Sequence, residues 1–143
     1  MNKKLWIGTV VVFLGMSVIS FLVHGVILTS TYMLDPVKNL LRPEAEMMEM
    51  MWIYYVVYLI ISFFFTLVFS KGYEGKGIVE GVRYGFYIGV MMATPMAYAS
   101  YAMYPIPYSL ALQWFIYTLI QYLILGVAVA GVFGKKPKES ATT

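Results

Sequence analysis

An all-α membrane protein, folded as an antiparallel up-down bundle of four transmembrane helices, is the fold class this sequence predicts. Three observations lead there. Of the 143 residues, 61% are hydrophobic and only 12% are charged, about half the ~25% typical of a soluble domain. The charges leave four runs untouched, residues 5–29, 50–70, 84–104 and 108–134, and each reaches the roughly 20 residues a helix needs to cross hydrocarbon. The links between them are short, which makes sequential helices antiparallel neighbours. Residues 1–134 therefore read as one transmembrane domain, with no room left for a soluble one.

The elements follow in order. Span one covers about residues 5–29, with Trp6 at one interface, where indoles prefer to sit. The opening Met1-Asn2-Lys3-Lys4 resembles a signal peptide, but its apolar run exceeds the roughly 7–15 residues of a signal core. It reads as a signal-anchor. Beyond Tyr32, Asp35-Pro36 suits a helix start. Val37, Leu40 and Leu41 then supply the apolar face of a short interfacial helix in the first outer loop. A new helix starts at Pro43-Glu44, with Glu44, Glu46 and Glu49 favoured by the helix dipole, and continues into span two at about 47–69. Gly72, Gly75 and Gly77 among alternating charges mark a turn. Span three covers about 82–104, kinked at Pro95 and ended by Pro105-Ile106-Pro107. Span four covers about 109–133, and residues 135–143 form a polar tail expected to be disordered.

Charge sets the expected orientation. Lys3, Lys4, Lys71, Lys76, Arg83, Lys135, Lys136 and Lys138 are eight of the ten basic residues, and all fall at the termini or in the middle link. The positive-inside rule puts those parts, hence both termini, in the cytoplasm. Because orientation already explains the lysines, no nucleic-acid partner is expected. The 71–77 link lacks the Gly-Lys-Ser/Thr ending of a phosphate loop and follows no strand, so no nucleotide is expected either.

Span three carries a ladder of small residues at intervals of four: Gly77, Gly81, Gly85, Gly89, Ala93 and Ala97. In lipid, where apolar surfaces have no special reason to associate, such a ridge lets two backbones approach closely. The working ridge, Gly81 to Ala97, predicts that span three is the central helix, with Gly85 and Gly89 its closest contacts.

Few residues in the spans carry chemistry. His24 is the only histidine, and an ionisable residue in a span is a functional candidate by default. The simpler role for it is a hydrogen bond to a neighbouring helix, for example to a tyrosine. A ligand pocket in the outer half would be lined by His24, Tyr98, Tyr101, Gln113 and Glu49, although the tyrosines also fit an interfacial belt. Met47, Met50 and Met51 with His24 form a soft donor set of the kind that suits copper. Methionine is equally an adaptable gap-filler, and neighbouring methionines on a helix face different ways. No cofactor is predicted; haem, pigment, quinone and copper are the classes His24 leaves open. Gln113 and Gln121, eight apart, suit interhelical hydrogen bonds. Glu80 and Arg83 are spaced to pair along one helix face or to fix a helix end. With no cysteine there is no disulfide or thiol chemistry, and no catalytic constellation is found.

His24-Gly25 followed by Tyr32, Glu80-Gly81-Val82-Arg83-Tyr84-Gly85, and Tyr104-Pro105-Ile106-Pro107 stand in an order that resembles uncharacterised families of small four-span bacterial membrane proteins. The resemblance implies the four-span plan and a bacterial cytoplasmic membrane, and it implies no activity. Beyond the lipid bilayer, the expected partners are other membrane subunits or further copies of the chain. The first expectation for function is a structural or accessory subunit of a larger membrane complex. The alternatives are a binding protein for a hydrophobic ligand, cofactor or copper centred on His24, and a small transport or channel subunit.

Overall fold

The computed structural model describes residues 3–134. Met1, Asn2 and the tail at 135–143, with its three lysines, lie outside the described residues. Every regular element within them is helical. Helix α1 (Lys3–Ser20) runs into a π-helical stretch, Phe21–Ile27, and then a single turn, α2 (Thr29–Tyr32). A 3₁₀ turn, Val37–Leu40, and the short α3 (Glu44–Glu49) lead to α4 (Met51–Gly72). Helix α5 (Ile78–Thr94) continues through a π turn, Pro95–Ala99, into α6 (Ser100–Met103), and α7 (Tyr108–Phe133) is last.

Among the described residues, three helices are long and apolar enough to cross a membrane: Lys3–Ile27, Met51–Gly72 and Tyr108–Phe133. Their limits differ modestly from those read in the sequence. The second begins at Met51, because the backbone at Met50 leaves helical geometry and separates α3 from α4. The interfacial helix of the first loop is a single 3₁₀ turn in which Val37 is buried while Leu40 and Leu41 remain exposed. At Pro95, where a kink was expected, the helix widens into π geometry over Pro95–Ala99.

Local chemistry explains the ends. Gly77 (φ 72°) precedes α5 and Gly134 (φ 71°) follows α7, positions where a Cβ would be strained. Gly134 N–H closes α7 on Ala130 O at 2.9 Å, and Lys4 Nζ donates to Phe133 O at 2.7 Å. That cation meets the negative end of the α7 dipole. In the 72–77 link, Glu80 folds back so that its carboxylate accepts the N–H groups of Glu74 (2.6 Å) and Lys76 (2.9 Å). Arg83 pairs with Glu74 at 3.2 Å rather than with Glu80, and Lys76 pairs with Glu74 too. The bonds from Lys76 and then Arg83 hold the Glu74 carboxyl below the usual range.

Helix α7, not the third helical segment, is the hub: it packs against α1, α4 and α5. The α5–α7 contact is the closest in the molecule. A Cβ on Gly81 would collide with Gly126 O and stand 2.6 Å from Ala130 Cβ; one on Gly85 would collide with Tyr122 O. At Gly89 the nearest atoms are Leu119 Cδ1 and Tyr122 Cβ, 2.9 and 3.1 Å away. Ala93 and Ala97 are fully buried. The tightest points are therefore Gly81 and Gly85, one step earlier than the expected pair. Elsewhere, a Cβ on Gly8 would lie 2.7 Å from Thr66 Cγ2, bringing α1 close to α4.

Two cores result. The larger lies towards the lysine-rich end and contains Val12, Met16, Phe65, Phe69, Tyr122, Leu125, Val129, Ala130 and Phe133. Aromatic rings tie it together: Phe65 meets Tyr84 at 4.7 Å between centroids, and Phe69 meets Tyr84 and Phe133 at 5.2 and 5.4 Å. Tyr84 also donates to Phe65 O at 2.6 Å. The smaller core, at the other end, joins Val37, Ile106, Leu110 and Ala111, with Tyr32 and Trp114 against it.

Candidate functional site

The smaller core positions a chain of three polar side chains, His24, Tyr32 and Trp114. The π stretch advances by wider turns than an α-helix, with Leu28 N–H bonded to Val23 O at 2.8 Å. Tyr32, in the following α2, reaches back along the chain to His24 through its side chain. Thr29 Oγ1 donates to His24 O at 3.4 Å, occupying a carbonyl within the wide turn. Val37 and Ile106, from two different loops, pin Tyr32 and Trp114 against each other.

His24 Nδ1 lies 2.5 Å from Tyr32 Oη, and Trp114 Nε1–H donates to the same oxygen at 2.9 Å. The imidazole and phenol rings lie nearly parallel, 7° apart with centroids at 6.0 Å. Burial pushes the Tyr32 phenol up to about 12, with the nearby Tyr54 phenol adding to the rise. Tyr32 is therefore a protonated donor at neutral pH. The three residues come from three elements: the π stretch, α2 and α7.

The other candidates are distributed differently. Tyr98 packs on Tyr108 and Phe115 (6.4 and 5.7 Å between centroids), and Tyr101 packs on Tyr108 at 5.8 Å. They form an aromatic cluster between the third and last helices rather than a lining for His24. Gln113 is half-buried with no hydrogen bond among the described residues, whereas Gln121 Nε2 reaches Ser20 Oγ at 3.3 Å and links α7 to α1. Glu49 is exposed at the end of α3. Met47 is half-buried, Met50 and Met51 are exposed, and none of the three has a polar contact with His24. Among the described residues, no group of three His, Cys, Asp or Glu side chains converges as a metal site would.

Three participants were missed in the sequence, Trp114, Tyr32 and Gly126. Tyr32 lies eight residues beyond His24, just outside the first span, where the sequence reading looked for no partner. Gly126 is the counterpart of the span-three ladder, and Gly126-x3-Ala130 could have shown it. It stands in a run of aliphatic residues where one glycine draws little notice.

No family model, curated protein or solved structure matches the chain. Its function is read from its own residues.

Proposed function

We propose that the chain is a structural or accessory subunit of a larger assembly in the bacterial cytoplasmic membrane. It crosses that membrane four times as an antiparallel bundle with both termini inside. The helical run 78–103 supports a fourth crossing: at 1.5 Å per residue it is about 39 Å long, against ~30 Å of hydrocarbon. The contacts Gly81–Gly126, Gly85–Tyr122 and Gly89–Leu119 rise in number on one helix as they fall on the other, which supports antiparallel neighbours. The clustering of basic residues supports the orientation.

The observation that carries the functional reading is the first half of α4. Every residue from 51 to 57 is exposed, as are Leu59 and Ile60, and the buried positions of α4 are Ser62, Phe65, Thr66 and Phe69. The second half of the helix is built into the core, and the first half touches it only through Tyr58 and Ile61. The half held out, together with the residues just before it, carries Met47, Met48, Met50, Met51, Trp52, Tyr54 and Tyr55. Methionine, tryptophan and tyrosine are enriched where proteins meet one another.

Purification from native membranes in mild detergent tests this. The chain is expected to migrate with other polypeptides at constant ratio. Recovery as a solitary chain, both in mild detergent and in bilayer discs cut directly from the membrane, would overturn the reading.

A further inference from the structure

The face of α4 that packs into the larger core continues past the point where the packing ends. Tyr58, Ile61, Phe65 and Phe69 lie against that core. Before Phe65, at alternating steps of four and three, come Ile61, Tyr58, Tyr54 and Met51. This is heptad spacing, which keeps one seam of a helix turned towards a neighbouring helix. One half of the seam is covered and the other is open. Tyr54 is 53% and Met51 48% exposed, as open as Val56 (45%) and Ile60 (52%) on the opposite side of the helix. Within the chain the main neighbour of α4 is α1, which meets it towards the lysine-rich end, where Gly8 faces Thr66. The open end of the seam also carries charge. Residues 42–49 hold Glu44, Glu46 and Glu49 against Arg42, a net charge of −2, and the other two charges of that loop, Asp35 and Lys38, cancel. Arg42 pairs with Glu46 at 3.4 Å, so Glu44 and Glu49 have no cationic partner among the described residues.

We propose that the partner subunit covers α4 on its core-facing side: an apolar transmembrane helix lies along Met51, Tyr54 and Tyr58 and bears Lys or Arg just beyond the membrane edge, opposite Glu44 and Glu49. The inference rests on the accessory-subunit reading and adds which face is covered and by what. From Met51 to Tyr58 the seam is two turns, about 10 Å long, which is a short apolar contact. Cations facing the carboxylates at its end set the orientation of the partner and discourage wrong ones. A second copy of this chain is a poorer occupant. Eight of its ten basic residues lie at the termini or in the middle link, so a parallel copy would bring carboxylates to carboxylates here.

The test is a photo-crosslinking scan around α4 in native membranes. A photoreactive residue replaces Met51 or Tyr54 on the seam, and Val56 or Ile60 on the opposite side; all four are exposed, so the fold tolerates the change. Positions 51 and 54 are expected to give the same discrete adduct with a different polypeptide, and positions 56 and 60 only lipid adducts. Mass spectrometry of the adduct is expected to place the link in an apolar stretch with Lys or Arg just beyond its end. Glu44→Gln combined with Glu49→Gln should lower the adduct yield at position 54 about 2- to 5-fold, the worth of one exposed ion pair. Protein adducts at 56 or 60 and none at 51 or 54 would overturn the inference and leave the accessory reading standing. An adduct with a second copy of the chain, or a yield at position 54 that the two glutamines leave unchanged, would overturn it as well. Lipid adducts alone at all four positions would overturn both.

Discussion

Glu80 is the one buried charged residue among those described, and its carboxylate is spent on backbone. Both oxygens accept N–H groups from the 72–77 link, so the side chain holds the turn before α5 in a single conformation. An amide of the same shape keeps one acceptor oxygen and turns an NH₂ towards a donor. Bonds to a charged acceptor are worth about 1.5–3 kcal/mol each, so Glu80→Gln should lower stability by about 2 kcal/mol, read by unfolding in detergent micelles. Glu80→Asp, too short to reach both groups, should fall in the same direction. The sequence showed an acid in the first turn of a helix beside an arginine, and pairing along the helix was a natural reading. The actual partners are main-chain groups four and six residues earlier, and such a bond leaves no mark in residue type. Tyr32 illustrates the same limit, since its approach to His24 is a side-chain contact that no residue pattern announces.

At the scale of elements, the sequence showed one side of the α5–α7 seam and not its partner helix. Small residues at intervals of four on the third segment fixed which face packs, and Gly81, Gly85, Gly89, Ala93 and Ala97 are all buried. What the ladder could not show was that its helix would be peripheral. The opposite face of α5 bears Val79, Val82, Phe86 and Tyr87, all exposed, and only the small-residue face and the adjoining row Tyr84, Ile88 and Met92 pack inward. Helix α7 is central because it offers usable surface on several sides, and no single stripe marks that. Gly126 faces the Gly81 carbonyl and the Gly85 backbone so closely that a side chain has nowhere to go. Gly126→Leu should cost about 3 kcal/mol or more and release α5 from α7, detected as loss of the folded species in fluorescence-detected gel filtration. Gly131, on the same helix, has nothing within 4 Å of an added Cβ. Gly131→Ala should be neutral or raise stability by up to about 1 kcal/mol, which separates close packing from helix propensity.

The whole molecule is asymmetric along its length. Towards the lysine-rich end, α1, α4, α5 and α7 share a continuous aromatic and aliphatic core. Towards the tyrosine-rich end, the core shrinks to residues from two loops and α7, and α4 takes no part in it. Apolar, uncharged runs made the membrane-spanning character readable from composition alone. The departure of α4 was not readable, because residues that face lipid, a partner or the core of a membrane protein are drawn from the same apolar set. The asymmetry gives the molecule its proposed role: a firmly packed end that holds the chain in place and an open helix face that meets another subunit. The measurement that bears on this most directly is photo-crosslinking in native membranes. A photoreactive residue would replace Tyr54 or Val57 on the open half of α4, with Ile124, equally exposed on α7, as the comparison. Positions 54 and 57 are expected to give one discrete adduct with a different polypeptide, and position 124 only lipid adducts. Lipid adducts alone at all three positions would contradict the account.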